Sequence, residues 1–371
     1  MRIMTAAAAV LLLVGCSSNT EPQVDQAKLE AFHADLESDT IADLHTVIVD
    51  YRGERIFERY YEAPDEDWEV GDVGVVMHNA NRLHDLRSVS KSVNALLVGL
   101  ALGDEWKDDI NRTIGDYFAD RADEIGEGFA DVTLEQLLTM QAGIEWNEMT
   151  EPYADEEGNY TDRNDEVKFG RSEDPIGLIL ARNVVTEPGT DWYYNGGLSY
   201  LLAVVVEKES GQPFDDFARK RLFTPLGITN YAWHRADAWP ENLPPATASG
   251  LRLTGSDMAK LGALVLSDGQ WQNEQLLPVG WTEAMTARHV DTVPWLDEPG
   301  MSGGYGYQWY RADIDGHDAI LTLGNGDQRH VLFPDLDLAI TIQAGRYNDF
   351  TQPTELLVAR PILDAIGATG G

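Results

Sequence analysis

One cysteine, Cys16, occurs in 371 residues. The chain therefore has no intramolecular disulfide and no cysteine-based metal site. Basic residues are also scarce, 27 Lys and Arg against 63 Asp and Glu, for a formal net charge of −36. That balance argues against nucleic-acid binding, which needs a basic surface, and suits a highly soluble protein in salty surroundings. The eight histidines form no His-x-His or His-x-x-x-His pair, so the expectation is no metal. No Gly-x-Gly-x-x-Gly follows a strand signal, and no cofactor is expected. Nor is there a Gly-x-Ser-x-Gly nucleophile elbow: Gly197-Leu-Ser-Tyr-Leu201 fails at its last position. Repeats and long low-complexity tracts are missing as well. The acidic clusters at 62–69 and 151–166 lack calcium-loop spacing and read as solvated loops.

The long apolar run is confined to the N-terminus. Arg2 precedes Ala6 to Gly15, which is too short to span a bilayer as a mature helix. The run ends Leu13-Val14-Gly15-Cys16 and resembles a bacterial lipobox, in which Cys16 becomes the lipidated first residue. That resemblance implies a signal over 1–16, a linker over 17–23, and a periplasmic lipoprotein anchored through Cys16 at the outer membrane.

Against these absences stands Ser88-Val-Ser-Lys91, opening the apolar run Val93 to Ala101. Residues three apart share a helix face. A helix beginning near Ser88 brings its hydroxyl and the Lys91 amine together. A serine hydroxyl needs a neighbouring base before it becomes a good nucleophile. A buried lysine suits that task, because loss of hydration disfavours an ammonium, and the positive end of the helix favours a developing oxyanion. Ser-x-x-Lys alone is common, and an N-capping serine with a solvated lysine is the plain alternative. Two features favour chemistry: no other serine here has a lysine three residues on, and the helix is too apolar for a surface. His84, just upstream, reads as a loop residue and not a triad member.

Periodicity organises the rest. Val24 to Leu36 reads as an amphipathic helix, and 45–51 with 54–61 as a hairpin across Arg52-Gly53. From Asp108 to Pro245 the signals are mostly helix or loop. Strand signals return at Gly306–Arg311, Ala319–Leu323, His330–Phe333 and Ala339–Ala344, before a closing helix over Thr354–Ile366. Strands at both ends with helices between predict an α+β fold. Its α/β sandwich would hold a five-stranded antiparallel sheet, built from 24–107 and 246–371 and flanked by helices. A mostly helical subdomain, 108–245, would be inserted, with a groove between the two parts.

Two further segments stand out. Pro188-Gly-Thr-Asp-Trp-Tyr-Tyr-Asn195 puts consecutive aromatics at a helix entrance, and Leu323-Gly-Asn-Gly-Asp-Gln-Arg329 joins two strands. Each has a plain reading, as an aromatic anchor and as a hairpin turn. Taken in order with Leu86–Ser92, Leu137–Trp146 and Tyr305–Trp309, they resemble the serine β-lactamase-like hydrolases. That group embraces class C β-lactamases, D,D-peptidases, family VIII esterases and 6-aminohexanoate-dimer hydrolases. The resemblance implies a β-lactamase/transpeptidase-like fold, with Ser88 as acylated nucleophile, Lys91 as general base and Tyr194 (not Tyr193) as proton relay. It also implies an oxyanion hole from the N–H of Ser88 and one of Asp327 or Gln328. Asn195, Asn325, Gly326, Asp327 and Gln328 are the oxyanion and substrate-binding candidates.

Two positions depart from the pattern. The family's Tyr-x-Asn or Tyr-x-Ser reads Tyr194-Asn195-Gly196, and its Lys-Thr-Gly or His-x-Gly reads Gly324-Asn325-Gly326. Loss of the cation at 324 disfavours substrates with a free carboxylate, unless Arg329 replaces it. The expectation is thus a monomeric esterase or 6-aminohexanoate-oligomer-hydrolase-like enzyme acting on a small ester, amide or peptide. The alternatives are a β-lactamase or D,D-carboxypeptidase, and a non-catalytic binding or regulatory lipoprotein.

Overall fold

The computed structural model describes residues 24–38, 40–155 and 160–368. Cys16, the expected signal and the linker to residue 23 lie outside the described residues.

A seven-stranded, wholly antiparallel sheet forms the centre. Its spatial order is Met301–Tyr305, Tyr310–Ile314, His317–Gly324, Gln328–Phe333, Leu338–Ala344, Leu44–Tyr51, Glu54–Tyr60. The N-terminal strand thus docks on the last strand, and both chain ends build one sheet. Arg52 and Gly53 both have positive φ (52° and 75°), as a two-residue hairpin of this twist requires.

Side-chain alternation splits the sheet's two faces. Val47, Val49, Val331, Phe333, Ile340 and Ile342 pack with the helices Gln26–Glu37 and Thr354–Ala365. The opposite face, with Ile48 and Leu332, meets the helix Gly255–Leu266, whose Gly255 and Gly262 lie against those side chains. Next to it runs the helix Val89–Leu102, buried at every residue but Ala101. Its Asn94 donates to the Ser199 carbonyl (2.6 Å), tying it to the helix Gly196–Ser210. Gly99 is required where it is, because a Cβ there would run into the Trp281 indole.

The expected α+β architecture is present, but the five-stranded count is too low. The hairpin partner Glu54–Tyr60 forms one edge, and Met301–Tyr305, whose Ser-Gly-Gly centre hides its strand character, forms the other. The expected strand at Gly306–Arg311 is mostly a turn. There Gln308 (φ 59°) sends its amide to the Leu138 carbonyl (2.9 Å), and the strand begins at Tyr310. The acidic stretch 62–69 is also more than a solvated loop. Glu62–Asp67 pairs with Gly71–Met77 as a ribbon, and Asp65 is buried.

Candidate active site

The short strand His84–Asp85 hands the chain to the helix Val89–Leu102 through Arg87, a non-glycine residue with φ 48°. Such backbone persists only where its surroundings fix it. Here the Arg87 guanidinium lies between the Trp68 and Tyr347 rings (4.4 and 4.6 Å) and pairs with Asp85 (3.4 Å). The turn leaves Ser88 half-buried at the helix start, with Lys91 buried one turn on.

Three predicted side chains meet there. Tyr194 Oη donates to Ser88 Oγ at 2.6 Å, and Lys91 Nζ lies 3.3 Å from the same oxygen. Lys91 also donates to the Ala248 carbonyl (2.9 Å) and sits over the Tyr194 ring, 4.8 Å from its centroid. Burial raises the Tyr194 phenol well above its ordinary range, with Glu148 adding to this and the Ser88 hydrogen bond opposing it. The phenol is therefore neutral at ordinary pH, and a proton donor to Ser88. Tyr193 is turned away, packing against the helical core. Trp192 and Trp295 wall Tyr194 at 6.3 and 5.7 Å. Trp192 also faces an adjoining cavity of about 780 Å³ that contains none of Ser88, Lys91 or Tyr194.

The remaining candidates are occupied elsewhere through their side chains. Asn195 Oδ1 accepts from the Leu198 N–H (3.0 Å), capping the helix Gly196–Ser210. Asn325 exchanges hydrogen bonds with Asn348 (2.9 and 2.7 Å). Gly326 and Asp327 form the tight connection between strands, both with positive φ (87° and 62°). The Asp327 carboxylate is a buried hub for Arg329 (2.6 Å), Arg346 (2.7 Å) and Thr354 (2.7 Å). Gln328 donates to the carbonyls of Gly326 (2.9 Å) and Ala344 (2.7 Å). The side chains of Asn325, Asp327 and Gln328 are thus all bonded within the protein. Arg329 does not supply the cation missing at 324. It pairs with Asp327 and Glu355 (3.2 Å) and donates to the Gly324 carbonyl (2.7 Å).

Two residues the sequence reading left out complete the site. Glu148 Oε2 accepts from Trp146 Nε1 (2.9 Å) and the Gly196 N–H (2.7 Å). Glu166 Oε2 is buried with no hydrogen-bond partner among the described residues. A Cβ on Gly196 would collide with that Glu166 oxygen, so the two carboxylates occupy the space where the family's third side chain would begin. Glu166 ends the acidic stretch 151–166 read as a solvated loop, and Glu148 lies just before it. A carboxylate two residues from a tryptophan was the available signal.

Burial pushes the Glu166 carboxyl up to about 8, Glu148 adding to the shift and Lys91 opposing it. The folded protein then keeps a proton that the unfolded chain releases near its ordinary value of 4.5. This group therefore lowers stability progressively as pH rises from there toward the folded value. Glu166→Gln cannot titrate. Its melting temperature relative to wild type is expected to be higher at about pH 9 than at about pH 5; an unchanged difference would contradict the assignment.

The Beta-lactamase family profile matches residues 41–354. A 6-aminohexanoate-dimer hydrolase from Paenarthrobacter ureafaciens is 25% identical over 308 residues, covering 78% of this chain and 70% of the relative. A lovastatin esterase from Penicillium rubens is 30% identical over 147 residues, 38% of this chain and 33% of that protein. Among solved structures, a family VIII carboxylesterase shares the fold with a TM-score of 0.67 at 16% identity, over 92% of this chain and 97% of the other.

Proposed function

The chain belongs to the beta-lactamase family, and we propose that it is a serine hydrolase that cleaves a neutral ester or amide through an acyl-enzyme on Ser88. The observation that carries this is the convergence of Tyr194 Oη and Lys91 Nζ on Ser88 Oγ, at 2.6 and 3.3 Å.

In this reading Lys91 takes the Ser88 proton while Oγ attacks the carbonyl carbon. Tyr194, a neutral phenol at rest, gives its proton to the leaving alcohol or amine and is reprotonated with the proton that Lys91 took from Ser88. Water then attacks the acyl-enzyme with the same groups in reverse. The carbonyl oxygen would be held by the Ser88 N–H, which has no backbone partner among the described residues, and by an N–H of Asp327 or Gln328.

The preference for neutral substrates rests on charge. Arg329 is tied to Asp327 and Glu355, and position 324 is glycine. Behind Tyr194 lies Glu148, its Oε2 on the Gly196 N–H. Little here attracts the carboxylate of a penicillin or of a D-Ala-D-Ala end. The esterase relatives point the same way. A short-chain neutral ester or amide is expected to give a kcat/KM at least about tenfold above a chromogenic cephalosporin, a difference of about 1.4 kcal/mol in transition-state stabilisation. The reverse order would favour a β-lactamase or D,D-carboxypeptidase.

A further inference from the structure

Four side chains outside the Ser88 site converge on one buried point. His45 belongs to the strand Leu44–Tyr51 and Asp65 to Glu62–Asp67; His78 directly follows Gly71–Met77, and His84 opens His84–Asp85. All four are buried, and one potential ligand atom from each lies within 4.8 Å of the others.

Two backbone carbonyls decide the tautomers. His45 Nε2 is 2.8 Å from the Pro64 carbonyl oxygen, and His84 Nδ1 is 3.0 Å from that of Asp85. A carbonyl only accepts, so each of these nitrogens carries the ring hydrogen. That leaves lone pairs on His45 Nδ1 and His84 Nε2, and these two atoms face each other at 2.7 Å. Two acceptors at that distance repel unless an electrophile lies against both. His78 adds a third nitrogen: its Nε2 is buried and has no hydrogen-bond partner among the described residues. The His78 ring is stacked on that of His45, centroids 3.7 Å apart. Asp65 closes the group, its Oδ1 3.9 Å from His45 Nδ1 and 3.7 Å from His84 Nε2, its Oδ2 3.7 Å from His78 Nε2. Arg82 (3.3 Å) and the Tyr347 hydroxyl (3.5 Å) orient that carboxylate from outside.

We propose that His45, His78, His84 and Asp65 form a binding site for a divalent transition metal of the zinc type, through three imidazole nitrogens and one carboxylate oxygen. Neutral imidazole and carboxylate suit such an ion in fourfold coordination. Carbonyl-anchored ring N–H groups are the outer shell that metal-binding imidazoles use to aim their free nitrogens. Four protein donors in a buried setting leave no open coordination position, so the site is structural and not hydrolytic. It would pin the ribbon Glu62–Met77 to the strand His84–Asp85, which ends three residues before Ser88. A metal there braces the backbone that presents the nucleophile, without touching substrate.

The test is Co²⁺ titration of the chelator-treated full-length protein, followed by visible absorption, with Zn²⁺ as competitor. One equivalent of Co²⁺ is expected to give the ligand-field bands of a four-coordinate site, bleached by Zn²⁺. His78→Ala removes a nitrogen with no hydrogen-bond partner, so its fold should survive. Its Co²⁺ affinity should fall by about 100-fold or more, at or beyond the range seen for loss of an outer-shell partner. Asp65→Asn, which keeps the shape, is a second variant expected to weaken binding, should His78→Ala not fold. Failure of the wild type to take up a stoichiometric ion would overturn the proposal and leave a proton shared between His45 and His84. Unchanged bands in both variants would overturn it equally, by placing the ion elsewhere.

Discussion

Ser88→Ala is expected to lower ester turnover by at least about 10³-fold, within the range seen when a serine nucleophile is removed. Oγ is the one atom that Tyr194 and Lys91 share. Without it neither group has a nucleophile to activate, and only binding and carbonyl polarisation remain. The fold should barely notice. Lys91 keeps the Ala248 carbonyl (2.9 Å), and the helix Val89–Leu102 is held by its buried apolar face. Loss of two hydrogen bonds to a half-buried hydroxyl is worth about 1–3 kcal/mol, too little to unfold a domain of this size. Steady-state rates beside circular dichroism check both halves. A folded Ser88→Ala protein with wild-type turnover would refute the assignment of the nucleophile.

Tyr194→Phe should lower kcat by about 10²- to 10⁴-fold, the usual contribution of a positioned proton donor, with KM little changed. Phenylalanine keeps the ring against Trp192 and Trp295 and under Lys91 Nζ; only the hydroxyl goes. Because the neutral phenol hands its proton to the leaving group, the deficit should depend on what leaves. A nitrophenyl ester, whose phenolate departs without help, should lose less than an alkyl ester or an amide. Equal losses across that series would mean that Tyr194 positions Ser88 and does not relay a proton. That comparison separates the chemical role from a merely structural one.

What could be read from the chain beforehand was what is local in it. Ser88 and Lys91 are one helical turn apart, so spacing alone places them together. Tyr194 follows from its distance to Pro188-Gly189 once the family resemblance is recognised. Chain-end strands with apolar alternation, such as Ala339–Ala344, declare themselves by composition. The features that escaped are those made by distant pairing. Glu148 and Glu166 look like solvent-facing acids until the loop folds back and sets them against Gly196. Met301–Tyr305 is a strand because Tyr310–Ile314 pairs with it, not because Met-Ser-Gly-Gly-Tyr favours one. His45, His78 and His84 have no motif spacing, since the ribbon Glu62–Met77 and the Leu44–Tyr51 strand bring them together. Asn195 shows the converse: its position beside Tyr194 suggested substrate contact, while its side chain caps a helix.

The central claim is an activated serine at position 88. The most direct measurement is intact-mass analysis of the protein after treatment with a fluorophosphonate, beside Ser88→Ala and Lys91→Ala. The account predicts a single adduct that maps to Ser88, is absent from Ser88→Ala, and forms far more slowly in Lys91→Ala. A folded wild-type protein that takes up no adduct, or takes it up equally well without Ser88, would contradict it.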